Sequence, residues 1–439
     1  MADDGVLRVE VVARQRLALG TGSEVSFFTD SHAFVPGSVL RGALAASWIA
    51  EHGPPDRGNA DAAWFRELFD GRIRYGPLHA VGSGVVPVSA WLCKYPKDDA
   101  CGRQAVDAAF ESGTQCPACG GPLEQGKGQV QLPAGMSLER ITRTSIDPAT
   151  AKAKEGELYA HAALPARITL CGFIHGRDPW LEHSRPLRLG GRRTVGGAAD
   201  YHAESAERQA PAEQLTADGN LTIRLNGPAV FVDAAGRPRT DPDPVLDLEG
   251  AEISRTWARP VTWTGWHAAA RLPKPEELCA AGGSTYQLSG PPEILRQLAA
   301  RLRREGAGLR RAEGFGDIEV VTSPWRPVAA AAVAALEPGS DAASLDWHRR
   351  VQELGLDASL RRWVVGALRE LQLDRARPVG DSAAPGRLAG ELLARPAADG
   401  FSGRQRDLLR SLFTETDLGV LRDVTTLLLA DLPAAEGTE

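Results

Sequence analysis

The segment 34–49, FVPGSVLRGALAASWI, constrains the fold most, because it joins a sharp loop to a helix. An extended approach stops at Pro36-Gly37, and Ser38 stands where a helix N-cap belongs. The apolar residues that follow recur at helical spacing: Leu40, Leu44 and Trp48. Two interpretations stay open. The segment is an ordinary capped helix that packs its apolar face into a core, or its free first-turn amides beside Arg41 bind a phosphate.

Length and charge limit the classes of protein that this chain can form. A chain of 439 residues exceeds what one hydrophobic core supports, so we expect two or three domains. No apolar run of about 18 residues occurs, and the N-terminus lacks the pattern of a signal peptide. The sequence therefore predicts a cytoplasmic protein without a membrane partner. The net charge of −6 excludes a uniformly basic surface, so any nucleic acid must bind to local patches.

Two textures divide the chain. Alternating strands, at 7–19, at 163–175 and again from residue 221, are interrupted by glycine-rich loops and a helix at 293–304. From about 327 onward, leucines at three-to-four spacing predict helices over 345–373, 386–395 and 402–430. A polar stretch near 203–220 is the predicted domain boundary within the first part, and 137–161 is predicted as a mobile loop or a hairpin.

Two loops combine glycine with arginine. The first, within residues 186–202, contains Gly190, Gly191, Arg192, Arg193, Gly196 and Gly197. The second, within residues 309–321, contains Arg310, Arg311, Gly314 and Gly316. Glycine permits positive φ and lets a backbone approach a ligand closely, while the arginine fork donates hydrogen bonds to phosphate. A glycine-rich hairpin end is the alternative for the first loop. The tryptophans of residues 257–267 are predicted to be core residues rather than base-stacking groups.

Four of the six cysteines lie within residues 93–121, which we call the Cys-rich insertion. Cys116 and Cys119 form the pattern CPACGG, whose spacing is that of a zinc knuckle, and Cys93 and Cys101 are the candidate second half of the site. In a reducing cytoplasm such thiolates favour metal over a disulfide, with free or redox-active thiols as the alternative. Four protein ligands leave no open position, so the predicted zinc is structural.

The order of five motifs resembles a known family. VPGSVLRGALA is similar to the PGS-x-LRG signature of RAMP proteins, the RRM-like subunits of CRISPR effector complexes. The full series resembles the Csx-ten family of type III-D complexes over residues 1–323: VPGSVLRGALA, ELYAHAALP, LRLGGRRTVGGA, GW followed by LPKP and GGSTYQL, and RRAEGFGDIEV. The helical tail matches no motif of that family.

This resemblance implies an α+β fold with two ferredoxin-like (RRM-like, RAMP) domains, at residues 1–205 and 206–326. The Cys-rich insertion would be a zinc knuckle within the first domain, and residues 327–439 a C-terminal all-α region. The implied function is an RNA-binding subunit that grips the repeat-derived 5′ tag of the CRISPR guide RNA. It would cap the complex beside the large polymerase-like subunit and the RAMP backbone subunits.

The resemblance also assigns the RNA-facing residues. They are Ser38, Arg41, Gly190, Gly191, Arg192, Arg193, Gly196, Gly197, Arg310, Arg311, Gly314 and Gly316. Backbone amides would meet phosphates and arginines would supply charge, so binding should weaken with salt. The second loop departs from the pattern, because Asp317 stands where a basic residue would favour RNA.

Two other functions stay open. RAMP backbone subunits cut target RNA with an acid ahead of the PGS motif, where this chain has Asp30, and processing nucleases of the superfamily use a histidine, where it has His32. A lone aspartate is more often a turn residue, so we expect a binding subunit and no catalysis. The second alternative is a zinc-containing scaffold that makes no RNA contact.

Overall fold

The computed structural model describes two compact units, residues 1–336 and 337–439. The described residues are 3–25, 28–56, 58–97, 99–102, 104–133, 136–146, 153–191, 196–206, 215–267, 272–327, 342–375, 385–395, 398, 400–415, 420–421, 424–425 and 428. No helix among them is long and apolar enough to cross a bilayer.

Every strand found among the described residues lies in the first unit. In chain order they are β1 (Asp3–Ala13), β2 (Gly20–Val25), β3 (Phe28–Ser31), β4 (Arg74–Tyr75), β5 (His79–Ala80), β6 (Gly84–Val85), β7 (Ala90–Cys93), β8 (Ala105–Asp107), β9 (Leu123–Gln125), β10 (Val130–Gln131), β11 (Glu139–Ile146), β12 (Ala153–Ala163), β13 (Thr169–Arg177), β14 (Arg185–Arg188), β15 (Ala198–Ala206), β16 (Leu221–Leu225), β17 (Phe231–Val232), β18 (Pro238–Arg239), β19 (Glu252–Trp257), β20 (Pro260–His267), β21 (Leu272–Ala280), β22 (Thr285–Ser289) and β23 (Ile318–Val320). Its helices are α1 (Gly37–His52), α2 (Ala62–Phe69), α3 (Asp99–Gly102), α4 (Pro179–Glu182) and α5 (Pro292–Glu305), with a 3₁₀ turn at Arg311–Glu313.

The first large sheet has the order β14–β15–β1–β13–β4, and β5 also pairs with β13. The neighbouring strands run antiparallel. If β1, β4, β13 and β15 are counted as strands one to four, their order is 4-1-3-2, which is that of a β-α-β-β-α-β unit. Helix α1 occupies the first crossover, and the four-residue helix α4 is the helix among the described residues of the second crossover.

The second large sheet, β19–β22–β16–β23, repeats this order with β16 as its first strand and β23 as its fourth. Here the second crossover holds the long helix α5. The first crossover, residues 226–251, forms the short hairpin β17–β18 and contains four prolines, at 228, 238, 242 and 244. Proline lacks an amide donor and breaks helices, which explains why no helix forms there. The predicted mixed α/β fold is confirmed, while each sheet retains one long helix rather than two.

Each long helix packs an apolar stripe into a core of its own. In α1 the fully buried stripe consists of Leu40, Leu44 and Trp48, as the helical spacing predicts. In α5 it consists of Leu295, Leu298 and Leu302. Each such side chain contributes about 1.5–3 kcal/mol through burial. The two cysteines outside the Cys-rich insertion differ, because Cys279 is buried while Cys171 is half-buried.

The first unit also contains smaller sheets beside the two large ones. The sheet β11–β12–β3–β2 contains a long hairpin, β11–β12, so the polar stretch at 137–161 forms a hairpin in its described part. The hairpin β20–β21 forms a separate two-stranded sheet, and β8–β7–β9 frames the Cys-rich insertion.

The second unit is helical, as its leucine spacing predicts. Its helices are α6 (Ala342–Glu353), α7 (Ala358–Arg375), α8 (Pro385–Leu393) and α9 (Gly403–Phe413). They share a core that includes Val364, Leu368, Leu392, Leu409 and Phe413. Helix α9 ends at Phe413, and the described residues further on, at 420–421, 424–425 and 428, are helical again, so the helical region predicted over 402–430 is interrupted after Phe413. At its start Ser402 and Gln405 form a reciprocal capping box.

Candidate nucleic-acid interface and candidate metal centre

The turn formed by residues 36–38, which we call the PGS turn, packs against the second glycine-rich loop. Helix α1 begins at Gly37, its N-cap is Pro36, and no side chain caps it. The prediction that Ser38 is the N-cap is therefore wrong, because Ser38 lies inside the first turn, where it is half-buried. A Cβ added to Gly37 would lie 1.8 Å from the carbonyl oxygen of Tyr75 and 2.9 Å from the Cα of Gly314. Only glycine fits this position, and protein backbone occupies the space beside it.

Arg41 ties α1 to the end of α2. Its Nε donates to the carbonyl oxygen of Phe69 at 2.5 Å, and its guanidinium forms an ion pair with Asp70. The Arg41 side chain is 22% exposed. Part of its charge is therefore compensated within the protein, and its reach toward a ligand is limited.

The first glycine-rich loop is the turn from β14 to β15. Gly190 and Gly197 have φ angles of 75° and 86°, a region that glycine adopts readily. The Gly191 amide donates to the carbonyl of Ala18 at 2.9 Å. Gly196 and Gly197 are buried, while Gly191 is exposed.

The arginines predicted for this loop, Arg192 and Arg193, lie outside the described residues. Positive groups flank the described ends of the loop. The Arg188 side chain is exposed and donates to the carbonyl of Gly196 at 3.3 Å. Arg16, on the segment beneath the loop, is more than half exposed and pairs with Glu139. The described ends of the loop thus combine an exposed Gly191 with nearby exposed arginine side chains.

The second loop uses its arginine inside the protein. Arg310 adopts a left-handed φ of 56°, and its Nε and Nη2 donate to the two carboxylate oxygens of Glu313 at 2.9 and 2.8 Å. It also pairs with Glu277 and stacks over the ring of Phe315, with its Cζ 4.6 Å from the centroid. Burial would raise the pKa of Glu313, but hydrogen bonds from Arg310 and Lys274 outweigh burial and lower that pKa to about 2.

The glycines of the second loop face protein rather than solvent. Gly314 and Gly316 are buried, with φ angles of 85° and 66°. A Cβ on Gly314 would lie 2.2 Å from the carbonyl oxygen of Tyr75, and one on Gly316 would lie 1.8 Å from that of Ala307. Arg311 differs, because its side chain is exposed and makes one long contact, 3.4 Å, to the carbonyl of Glu305.

Asp317, which the sequence places at the end of this loop, points inward. It is buried, accepts a hydrogen bond from Nδ2 of Asn226 at 3.0 Å, and lies 3.4 Å from Nε2 of His175. Its carboxylate therefore joins the second loop to the first large sheet and adds little negative potential at the surface.

Of the two candidate catalytic residues, Asp30 faces solvent and His32 is largely buried, so they do not form a solvent-facing acid-base pair. Asp30 is exposed on strand β3 and accepts a hydrogen bond from the amide of Ser31 at 2.8 Å. His32 stacks on Trp263 with ring centroids 4.4 Å apart, and burial lowers its pKa to about 4.

Trp263 is buried, as predicted for a core residue, whereas Trp266 further along β20 is 62% exposed, against that prediction.

The four cysteines of the insertion converge. The sulfur atoms of Cys93, Cys101, Cys116 and Cys119 all lie within 4.8 Å of one another, and those of Cys93 and Cys119 are 3.7 Å apart. Tetrahedral zinc with bonds of about 2.3 Å places its sulfur ligands roughly 3.8 Å apart. The donor set and its spacing fit such a zinc ion, including the Cys93–Cys101 half that the sequence left open.

The CPACGG turn presents its thiols through a tight backbone loop. The Gly120 amide donates to the Cys116 carbonyl and the Cys116 amide to the Gly121 carbonyl, both at 2.8 Å. Gly120 has a φ of 68°, which closes the turn. The amide of Cys119 donates to the Cys116 sulfur, and this bond lowers the pKa of that thiol to about 7. Thiolate, the form that binds metal, is thus favoured.

Sequence reasoning missed the residue that anchors the insertion, Asp107. Its carboxylate is fully buried and accepts hydrogen bonds from Nη2 of Arg224 at 2.8 Å, the amide of Trp325 at 2.9 Å and the amide of Ala109 at 3.2 Å. No sequence signal identifies this group, because Arg224 and Trp325 are distant along the chain. A lone aspartate after a short strand has no motif.

One protein family matches part of this chain. Residues 118–323, slightly less than half of it, match the family described as CRISPR-associated protein (Cas_Cmr3). Over these residues the chain is similar to a CRISPR-associated protein family, which confirms the resemblance to RAMP-type CRISPR-associated proteins at the level of the superfamily. The matched residues include both glycine-rich loops and β16–β23, whereas the PGS turn lies outside them. The type III-D subtype stays a prediction.

Solved structures show weak likeness only. A chain of a type III-B Cmr-beta complex bound to cognate target RNA and AMPPnP is 13% identical, with 67% of this chain and 88% of that chain covered and a TM-score of 0.42. Thermus thermophilus Cas6 is 12% identical over 73% of this chain and 99% of that one, with a TM-score of 0.29. No curated protein matches the sequence.

Proposed function

We propose that this chain is an RNA-binding subunit of a type III CRISPR effector complex and grips the repeat-derived 5′ tag of the guide RNA. The single observation that carries the proposal is the family match over residues 118–323, which spans both glycine-rich loops. In the proposed complex the chain sits beside the large polymerase-like subunit and the RAMP backbone subunits.

The first glycine-rich loop is the proposed primary contact. Its exposed Gly191 lets a phosphate approach the backbone, and the exposed Arg188 adds charge. Arg192 and Arg193 follow in sequence and supply two further guanidinium groups. Arginine binds phosphate in bidentate geometry, so a loop of this composition suits an RNA backbone.

The other assigned residues take different shares in the proposed interface. Arg311 is exposed and offers a second phosphate contact, while Ser38 lies half-buried in the first turn of α1. Arg41 and Arg310 form ion pairs within the protein, and Gly314 and Gly316 pack against backbone. Of these four residues, Gly314 packs on Gly37 of the PGS turn, and the other three are engaged elsewhere within the protein.

The test is the double variant Arg192→Ala with Arg193→Ala, measured by its affinity for a tag-containing guide RNA at several salt concentrations. Loss of two phosphate contacts should weaken binding by about 10-fold or more and reduce the salt slope by about 1.4. The matched control is Arg237→Ala with Arg387→Ala, which removes the same charge from two well-exposed arginines elsewhere. An unchanged affinity and slope in the first variant would refute the assignment.

We also propose that the chain is not a nuclease. Asp30 is exposed, and it belongs to no group of possible metal ligands among the described residues. The His32 ring is stacked on Trp263. The expected result for Asp30→Asn in an assembled complex is target-RNA cleavage within about twofold of the parent rate. Loss of one target cut in that variant would instead support the backbone-type nuclease.

The Cys-rich insertion is proposed to hold one structural zinc ion through Cys93, Cys101, Cys116 and Cys119. Bound zinc would tie three segments of the chain and, with four protein ligands, would leave no position for a substrate. Elemental analysis should find about one zinc per chain, lost in Cys116→Ser and retained in the control Cys171→Ser. Bound zinc together with no RNA affinity would favour the scaffold function instead.

A further inference from the structure

The two faces of the second large sheet differ in composition. Strand β16 is buried along its whole length, and its alternate side chains Leu221, Ile223 and Leu225 pack in the core with the leucines of α5. The opposite face carries polar side chains, and these are buried too: Thr222, Arg224, Thr285 and Gln287. In an RRM-like sheet the face opposite the helices is the one that bases stack on, and it is open to solvent. Here that face is covered over the two central strands, β16 and β22.

The Cys-rich insertion provides part of this cover. Asp107, at the end of β8, pairs with Arg224 at 2.8 Å, and both side chains are almost inaccessible, at 0% and 7% exposed. Ser89, just ahead of the insertion, donates from its Oγ to Oγ1 of Thr285 at 3.3 Å. The amide of Val88 donates to the carbonyl of Gly283 at 2.9 Å. These contacts reach both central strands of the sheet, β16 and β22.

The insertion also grips the segment that leaves the second sheet. Asp107 accepts from the amide of Trp325, and the Arg326 guanidinium pairs with Glu111 and donates to the carbonyl of Ala105 at 3.3 Å. One buried carboxylate thus joins the insertion, strand β16 and the chain after β23. The Asp107 carboxylate accepts hydrogen bonds from three donors. Without this carboxylate, the Arg224 guanidinium would stay charged and buried with no acidic partner at that position.

We propose that the Cys-rich insertion is a clamp seated on the polar face of the second sheet through Asp107, so that RNA contacts this half of the unit only through its loops. The statement about RNA rests on the proposed function. The seating of the clamp does not, because it follows from the Asp107 and Ser89 contacts. Asp107 is a positioning residue here and touches no ligand.

The experiment measures access to the covered face without RNA. Thr285→Cys places a thiol beneath the clamp, and Thr256→Cys places one on the exposed part of neighbouring β19 as the matched control. In the full chain with its metal bound, alkylation by iodoacetamide, followed residue by residue with peptide mass spectrometry, should be at least about 50-fold slower at position 285 than at 256. Similar rates at the two positions would overturn the proposal.

Adding Asp107→Ala should raise the alkylation rate at Thr285→Cys by about 10-fold or more and leave the rate at Thr256→Cys unchanged. Zinc content and circular dichroism should stay at the parent values, which separates release of the clamp from unfolding. If Asp107→Ala does not fold, Asp107→Asn and chelation of the parent chain provide the same measurement. An unaltered rate at position 285 in a folded variant would refute the role of Asp107.

A final arm addresses RNA. Guide RNA carrying 4-thiouridine should crosslink to the loop residues and not to peptides containing residues 222–225 or 285–287 of the parent chain. Crosslinks in those two peptides would overturn the proposal. Absence of all binding would instead count against the proposed function, while the alkylation result would still decide whether the clamp is seated as described.

Discussion

The two glycine-rich loops of this chain have the same position in their sheets and opposite surroundings. Each precedes the strand counted fourth in a 4-1-3-2 sheet, β15 in the first and β23 in the second. The first loop exposes Gly191 at the sheet edge, whereas the second buries Gly314 and Gly316. Position in the fold alone therefore does not decide whether such a loop can meet a ligand.

The difference arises from what lies opposite each loop. The second loop faces the PGS turn, so Gly314 packs on Gly37. Its Arg310 forms ion pairs with Glu313 and Glu277. The described residues of the first loop contact the segment after β1, where the amides of Gly191 and Gly197 donate to the carbonyls of Ala18 and Arg16. Glycine thus serves close packing at Gly314 and Gly316 of the second loop and at Gly190 and Gly197 of the first, whereas Gly191 of the first loop is exposed.

The largest expected effect tests the packing role of Gly314. Gly314→Ala would place a Cβ 2.2 Å from the Tyr75 carbonyl at a φ of 85°, so the free energy of unfolding should fall by about 3 kcal/mol or more. Urea denaturation followed by tryptophan fluorescence measures this change. The control is Gly191→Ala, where the nearest atom is 3.9 Å away and the expected change is below about 1 kcal/mol. Equal losses in the two variants would break the comparison.

Much of the scaffold follows from local sequence patterns. The spacing of Leu40, Leu44 and Trp48 predicts α1, and the leucines of the tail predict helices, because burial of one face fixes the period. The missing first-crossover helix of the second sheet is also readable from four prolines within residues 226–251. The N-cap prediction at Ser38 fails, since the helix begins at Gly37 and backbone packing sets its start.

The candidate sites divide in the same way. The cysteine cluster follows from spacing, although pairing of Cys93 and Cys101 with the CPACGG turn needed the fold. The inward orientation of Asp317 and the Asp107–Arg224 pair depend on long-range packing, which no local pattern encodes. Nor does composition reveal that Arg310 is paired, because one of its partners, Glu277, comes from a different strand.

The prediction of intermediate size tests whether the ion pairs of Glu313 with Arg310 and Lys274 stabilise the folded protein. Glu313→Gln should lower the free energy of unfolding at pH 7 by about 1–2 kcal/mol, because Arg310 and Lys274 lose an ionised partner. The folded pKa of Glu313 is depressed to about 2, so its contribution is complete above the unfolded value of about 4.3 and is lost as pH falls toward 2.

Urea denaturation of both proteins from pH 7 to pH 3 checks this dependence. The difference between parent and Glu313→Gln should narrow as the pH falls below about 4.3. Glu319→Gln, at an exposed position on β23, is the control and should show little difference at any pH. A gap that stays constant down to pH 3 would mean that the Glu313 carboxylate is not held ionised by its neighbours.

The smallest expected effect asks whether the second loop retains any share of the proposed RNA contact. Arg311 is exposed with one long contact to a carbonyl, so it is the arginine of that loop best placed to meet a phosphate. Arg311→Ala should weaken guide-RNA binding by about 2- to 3-fold and reduce the salt slope by no more than about 0.7, the value for one single-strand phosphate contact. Affinity titrations at several salt concentrations, run beside the Arg192→Ala, Arg193→Ala variant, measure both quantities. A loss as large as that of the first-loop pair would reverse the comparison and make the second loop the main RNA contact, in spite of its buried glycines.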